Sequence, residues 1–227
     1  MPHNGDVSPV PESDALFDVP EGARRPRVRV VLLTGPSGCG KTELTRRLGL
    51  PVVALDDFYL DGDHPDLPRA HGIVDWDDPR SWDGAGALAA LREVAATGRA
   101  ELPVYDIPSN ARTGTTVLDT GASPLVIAEG IFAAQLVDAY QGEGILADAI
   151  CLRRPRLRTF FFRLLRDVAE ARKPLPTLLR RGFALMRAEP RLVRGWVALG
   201  CRAVSRTEAE RAIRALVARE TGAVHAG

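Results

Sequence analysis

Gly35-Pro36-Ser37-Gly38-Cys39-Gly40-Lys41-Thr42 decides the reading of this 227-residue chain. The stretch fits the spacing G-x-x-x-x-G-K-[ST] and follows the apolar run Val28-Arg29-Val30-Val31-Leu32-Leu33. Glycines at 35, 38 and 40 let the backbone turn tightly and aim successive N–H groups at phosphate oxygens. Lys41 brings a point charge to β- and γ-phosphates, and the Thr42 hydroxyl is placed to ligate Mg²⁺. A helix opening at Lys41 adds its N-terminal dipole to the same anion. A strand before and a helix after separate a working phosphate loop from a chance match. The chain is therefore expected to bind a nucleoside triphosphate, and the open question is what receives the phosphate.

Outward from this loop, the composition suits one α/β domain, alone or with a small appendage. Thirty basic and twenty-nine acidic side chains leave a formal charge of +1. That balance gives no global pointer to nucleic acid or a membrane surface. Arginine is dense between Arg153 and Arg214, whereas acidic residues gather between Asp56 and Asp83. Such asymmetry suits a site where carboxylates hold metal and hydroxyls while arginines hold phosphates. Three cysteines, 39, 151 and 201, lack metal-ligand spacing, and four scattered histidines argue against a zinc site. No apolar run approaches ~20 residues and the N-terminus lacks a signal pattern, so a reduced, cytoplasmic protein is expected.

Periodicity predicts strands over 28–34, 51–55, 125–128 and 147–152, and helices over about 41–48 and 83–96. A helix is also expected after Gly130, through about Tyr140, and three more over about 156–172, 175–199 and 206–220. Residues 1–26 read as a flexible tail, and Arg112–Leu118 as a short β-hairpin arm. Strands alternating with helices imply a parallel sheet whose carboxyl ends carry the site. That rule brings Gly35–Thr42, Asp56-Asp57 and Glu129 together. Only one of Asp56 and Asp57 is expected to face the phosphates, because side chains alternate along a strand. A carboxylate there can take a proton from an attacking hydroxyl or hold Mg²⁺ through water. Glu129, ending an apolar strand, fits the group that orients Mg²⁺-bound water. The loop 56–81 is long enough to expect function from it. Within it, Asp75-Trp76-Asp77-Asp78-Pro79 followed by Ser81-Trp82-Asp83 places tryptophans among carboxylates, as a polyhydroxylated ligand requires. Asp83 or Ser81 is expected to cap the next helix, with Asp77 facing the ligand.

These segments, in order, are similar to the phosphoribulokinase/uridine kinase family of P-loop kinases, and to uridine kinases in particular. The resemblance spans about Val28 to Lys173. It rests on Gly35–Thr42, Asp56-Asp57-Phe58-Tyr59, Asp75–Pro79, Pro103-Val104-Tyr105-Asp106, Ala128-Glu129-Gly130-Ile131 and Arg166-Asp167. It implies an α/β P-loop NTPase fold of three layers, with a mostly parallel sheet, a small hairpin arm and extra C-terminal helices. The implied organisation is a tail (1–26), a kinase core with its lid helix (27–173) and a C-terminal helical part packed on the core (174–227).

The resemblance further implies ATP and Mg²⁺, a small-molecule acceptor, no nucleic acid or membrane partner, and a homo-oligomer. It makes Asp56 the general base, and Phe58, Trp76, Asp77 and Tyr105 the nucleoside pocket. Glu129 and Thr42 become the metal residues. Arg163 and Arg166 become phosphate-binding lid arginines, with Arg172 or Lys173 a further one. Three departures stand out. Asn110 replaces a base-contacting histidine, Thr159-Phe160-Phe161-Phe162 replaces a lid arginine, and residues 174–227 do not follow the family. The implied activity is phosphorylation of a pyrimidine nucleoside. A kinase of another hydroxylated metabolite, of pantothenate or sugar type, and a nucleotide-binding regulator are the rivals. Cys39, near a helix N-terminus, is either a favoured thiolate that alkylation would expose or a small filler of the loop.

Overall fold

The computed structural model describes residues 25–70, 72–140, 143–153 and 189–224. Its centre is the strand before the phosphate loop, β1 (Arg29–Thr34), every residue of which is buried. Alternate side chains of β1 serve two different cores. Val30 and Leu32 join Val53, Leu55, Leu91, Val126 and Phe132 on one face. Val31 and Leu33 join Leu44, Ile127, Leu152, Ala209 and Ile213 on the other. A strand covered on both faces reads as a continuous apolar run, which is why this segment stood out.

Helix α1 (Lys41–Leu48) follows the loop, then β2 (Val52–Ala54) and a 3₁₀ turn, Leu55–Phe58. A two-stranded pair, β3 (Arg69–Ala70) and β4 (Ile73–Val74), and a second 3₁₀ turn, Pro79–Ser81, break up the acidic loop. Helix α2 (Gly84–Thr97) is capped by Asp83, whose carboxylate accepts the Gly86 N–H at 2.8 Å. After the arm come β7 (Leu125–Glu129), the 3₁₀ turn Ala133–Leu136, α3 (Val137–Tyr140) and β8 (Leu146–Arg153). Among the described residues, helix α4 covers 189–198, then β9 (Arg202–Ser205) and α5 (Arg206–Val224) follow. The five-stranded sheet runs β2-β7-β1-β8-β9 with every pairing parallel. The α/β architecture expected from the alternating pattern is the one observed.

Two parts of the fold differ from the sequence reading. The arm is longer than Arg112–Leu118: β5 (Arg99–Asp106) pairs antiparallel with β6 (Ala111–Asp119). Pro103 disguised the first strand, yet it lies opposite Thr115 in a ribbon with two open edges, where a missing N–H is tolerated. The C-terminal part, expected as helices packed on the core, also supplies the fifth sheet strand, β9. Arg202 hides that strand in sequence, and its guanidinium is neutralised by Asp148 of β8, a carboxylate 1% exposed. Ser205 and Glu208 then close a reciprocal capping box at the start of α5. Among the described residues no helix is long and apolar enough to cross a membrane. The tail expected over residues 1–26 lies almost entirely outside the described residues, as does the helix expected over 156–172.

Candidate active site

The phosphate loop bridges β1 and α1 at the carboxyl edge of the sheet. Gly35 has φ +148°, and a Cβ there would meet the Leu152 carbonyl oxygen at 2.7 Å. Only glycine lets the loop leave β1 this close to β8. Gly40, at φ +101°, is the left-handed residue from which α1 starts. Pro36 is buried, Ser37 and Thr42 are exposed and Gly38 lies between, so the loop's outer rim is open to solvent. The Lys41 ammonium donates to the Gly35 carbonyl at 3.0 Å and lies 4.0 Å from Glu129 Oε1.

Two carboxylates converge on that lysine. Glu129 ends β7, which pairs with β1 so that Leu33 faces Glu129. Asp56 lies in the turn after β2, accepts the Ile131 N–H and is in the field of Lys41. Gly130 makes this approach sterically possible. A Cβ there would come within 2.7 Å of Leu55 Cβ and 3.1 Å of Asp56 Oδ1. Burial between the cleft walls raises the pKa of both carboxyls, and Lys41 partly offsets it. Asp57 points elsewhere, accepting the Tyr105 N–H at 3.3 Å and tying β5 to the turn. The strand expected to end on Asp56 stops at Ala54, so both aspartates lie in the 3₁₀ turn rather than on β2, and it is their contacts, not strand alternation, that bring Asp56 and not Asp57 toward Lys41.

An aromatic wall adjoins Asp56. Tyr59 packs edge-on to Trp76 at 5.5 Å and meets Tyr105 and Phe132 at 5.9 Å. Its hydroxyl donates to the Trp76 carbonyl, and Tyr105's donates to the Leu60 carbonyl, each at 3.2 Å. Burial raises the Tyr59 pKa, and the nearby Asp56 and Asp77 carboxylates raise it further. Asp77 is exposed. Its neighbours are occupied: Asp75 accepts the Asp77 N–H at 3.2 Å, and Asp78 caps Arg80 and pairs with it at 2.7 Å. Arg112 pins the arm to this wall. Its N–H donates to Asp61 at 2.7 Å, while its guanidinium reaches the Phe58 and Tyr59 carbonyls and Asp83.

Several sequence-derived site residues sit differently. Phe58 is 3% exposed and belongs to the core, leaving Tyr59 as the aromatic that faces Tyr105 and Trp76. The adjacent pair Phe58-Tyr59 had to place one ring inward and one outward, and sequence alone did not say which. Asn110 is exposed at the hairpin turn with φ +50°, and its carbonyl accepts the Gly62 N–H at 2.7 Å. Cys39 is 1% exposed and its thiol is pushed up by burial, so the helix N-terminus does not yield a favoured thiolate. Trp82, by contrast, packs in the core as a residue flanking the capped helix can, its indole donating to the Leu55 carbonyl at 2.8 Å. Arg163, Arg166, Arg172 and Lys173 lie outside the described residues, as does Thr159–Phe162. Ile131, whose backbone N–H holds Asp56, was legible only as the end of a motif and Arg112 only as the start of the arm, while Phe132 gave no signal. Their roles arise from contacts across elements distant in the chain.

No family model matches the chain. It is 35% identical over 111 residues to an inorganic pyrophosphatase of Arabidopsis thaliana, a match covering 46% of this chain and 15% of that protein. It is 29% identical over 161 residues to a uridine kinase of Shewanella pealeana, covering 66% of this chain and 74% of that one. The chain thus spans only part of the curated relatives it matches, a small part in the first case. In fold it is similar to a Silicibacter protein described as a fructose transport system kinase, with a TM-score of 0.55 at 19% identity over 76% of this chain and 87% of that one. Matches to further uridine kinases run over a similar share of the chain, and the phosphate loop, the turn carrying Asp56 and the Glu129-Gly130 strand end meet in space as one site. In sequence the chain is thus uridine kinase-like, similar to uridine kinases over about two thirds of its length.

Proposed function

We propose that the protein is an ATP-dependent kinase that phosphorylates the 5′-hydroxyl of a pyrimidine nucleoside, uridine or cytidine. One juxtaposition carries this reading: the desolvated Asp56 carboxylate is in the field of the phosphate-loop lysine and bears on the hydroxyl of Tyr59 in the aromatic wall. Phosphate donor and hydroxyl acceptor thus share one proton-accepting group.

Bound MgATP supplies the phosphoryl group and a divalent cation, for which Thr42 and Glu129 are the fitting residues, directly or through water. Among the described residues no three His, Cys, Asp or Glu gather into a closed cage. Mg²⁺ keeps several waters and takes one or two carboxylates, which a hydroxyl and a single carboxylate can supply. Lys41 and the loop N–H groups hold the β- and γ-phosphates. Asp56 takes the proton as the acceptor oxygen bonds to the γ-phosphorus and the bond to ADP breaks. Its raised pKa makes it a stronger base than an exposed aspartate, and Ile131 keeps it oriented. Tyr59, Trp76 and Tyr105 offer an apolar wall to a planar ring, with Asp77 beside it for ribose hydroxyls.

Two of the three arginines near this wall, Arg69 being the third, are already occupied, which supports an uncharged acceptor over a sugar phosphate. Arg80 is held by Asp78, and Arg112 by Asp83 and two carbonyls. ADP formation from MgATP, measured across uridine, cytidine, pantothenate, fructose, ribose 5-phosphate and inorganic pyrophosphate, tests the reading. Turnover with uridine or cytidine is expected. Turnover with a phosphorylated sugar alone, or with pyrophosphate alone, overturns it, and a flat panel with tight ATP binding makes the protein a nucleotide-binding regulator.

A further inference from the structure

Arg206, the first residue of α5, lies against the phosphate loop although it is far away in sequence. A Cβ at Gly40 would meet Arg206 Cδ at 3.9 Å. Further along, the Arg214 guanidinium donates to the Arg47 carbonyl at 3.2 Å. Two contacts in this order mean that α1 and α5 run side by side in the same direction, with their N-termini at one end. The strand pairing agrees, since Ser205 stands opposite Arg153 at the carboxyl edge of the sheet. In a parallel sheet this edge is where ligands bind.

Arg206 also differs from four arginines near it. Arg46 and Arg47 are neutralised by Glu43, Arg214 by Glu210 and Arg202 by Asp148. Arg206 is half-buried, and makes no hydrogen bond or ion pair among the described residues. Removing a guanidinium partly from water without a partner is unfavourable, so the position suits an anion that arrives from outside. The helix end itself is already satisfied, because Ser205 and Glu208 cap each other's N–H groups. The arginine side chain, not the helix terminus, is the feature left without a role.

We propose that Arg206 is a nucleotide-binding residue: its guanidinium grips the phosphate chain of the bound nucleoside triphosphate from the α5 side, opposite Lys41. An arginine fork matches phosphate oxygens bidentately, a geometry a lysine does not reproduce. The proposal rests on the donor half of the reading above and is independent of the acceptor.

Calorimetric titration of the full chain with MgATP, and with magnesium tripolyphosphate, which has no base or ribose, tests it. Arg206→Ala should weaken both ligands by about tenfold, and Arg206→Lys should recover part of that loss by its charge. The melting temperature of the ligand-free protein should not move, since the side chain bonds to nothing in it. Arg206→Ala binding both ligands within about twofold of wild type overturns the proposal. So does a loss confined to ATP with tripolyphosphate intact, which would place Arg206 at the base. Wild-type protein that binds neither ligand would sink the donor site itself, a failure distinct from an inactive acceptor panel.

Discussion

Replacing Asp56 by asparagine separates the two jobs assigned to the cleft. The change is nearly isosteric, and its side-chain oxygen can still accept the Ile131 N–H that orients Asp56. Only charge and basicity are lost. General-base catalysis contributes roughly 10²–10⁴-fold, so turnover should drop by about 100-fold or more, a barrier increase of at least ~2.7 kcal/mol. MgATP affinity should hold or tighten, because one of two carboxylates beside the phosphate-binding lysine is gone. Stability should move the opposite way from activity. The folded-state pKa of Asp56 is raised, so its contribution is intact below the ordinary carboxylate range and is lost as pH rises through the folded value. Asp56→Asn should therefore melt higher than wild type at neutral pH and equal to it in acid. Coupled ADP release with uridine, nucleotide titration and thermal melts at two pH values measure all three. Turnover within threefold of wild type would refute the assignment of Asp56 as base. A variant that loses ATP binding would instead mean that the carboxylate organises the loop.

The same arrangement gives three further expectations. Wild-type kcat should fall at acid pH with a midpoint above the ordinary aspartate range, since Asp56 must be ionised to act and burial raises its pKa; a pH–rate profile flat down to the usual carboxylate value contradicts this. Arg112→Ala removes the contacts that hold the arm against Phe58, Tyr59 and Asp83, and should raise the acceptor KM about tenfold while leaving MgATP affinity within about twofold. Steady-state kinetics with each substrate varied checks that split. Arg202→Ala leaves the Asp148 carboxylate, 1% exposed, without its partner. Breaking a buried pair on one side costs about 3–5 kcal/mol, or roughly 6–20 °C of melting temperature at this size; an unchanged melt would show that β9 is not held as described.

The donor side of this protein is legible residue by residue, because its chemistry is local. Gly35, Gly40, Lys41 and Thr42 lie within one turn and its helix, and spacing alone encodes the geometry. Glu129 follows from a rule about strand ends, and Asp56 lies two residues past one, in a 3₁₀ turn. The acceptor side is less legible because it is assembled by packing. Phe58 and Tyr59 are adjacent aromatics, and only the core beneath Phe58 sends Tyr59 outward. Gly130 reads as part of a family motif, yet its physical reason is the Leu55 side chain 2.7 Å from where a Cβ would be. Strand β9 was hidden by Arg202, whose charge makes sense only beside Asp148.

By itself, then, the sequence determined the fold class, the phosphate loop and the acidic end of β7, all of which depend on periodicity and on residues close in the chain. Tertiary structure alone decided which aspartate faces the lysine, which aromatic lines the wall, and that Arg206 of the last helix lies on the loop. Those choices depend on parallel pairing and on two helices lying side by side, contacts between segments up to 167 residues apart, for which no local pattern exists.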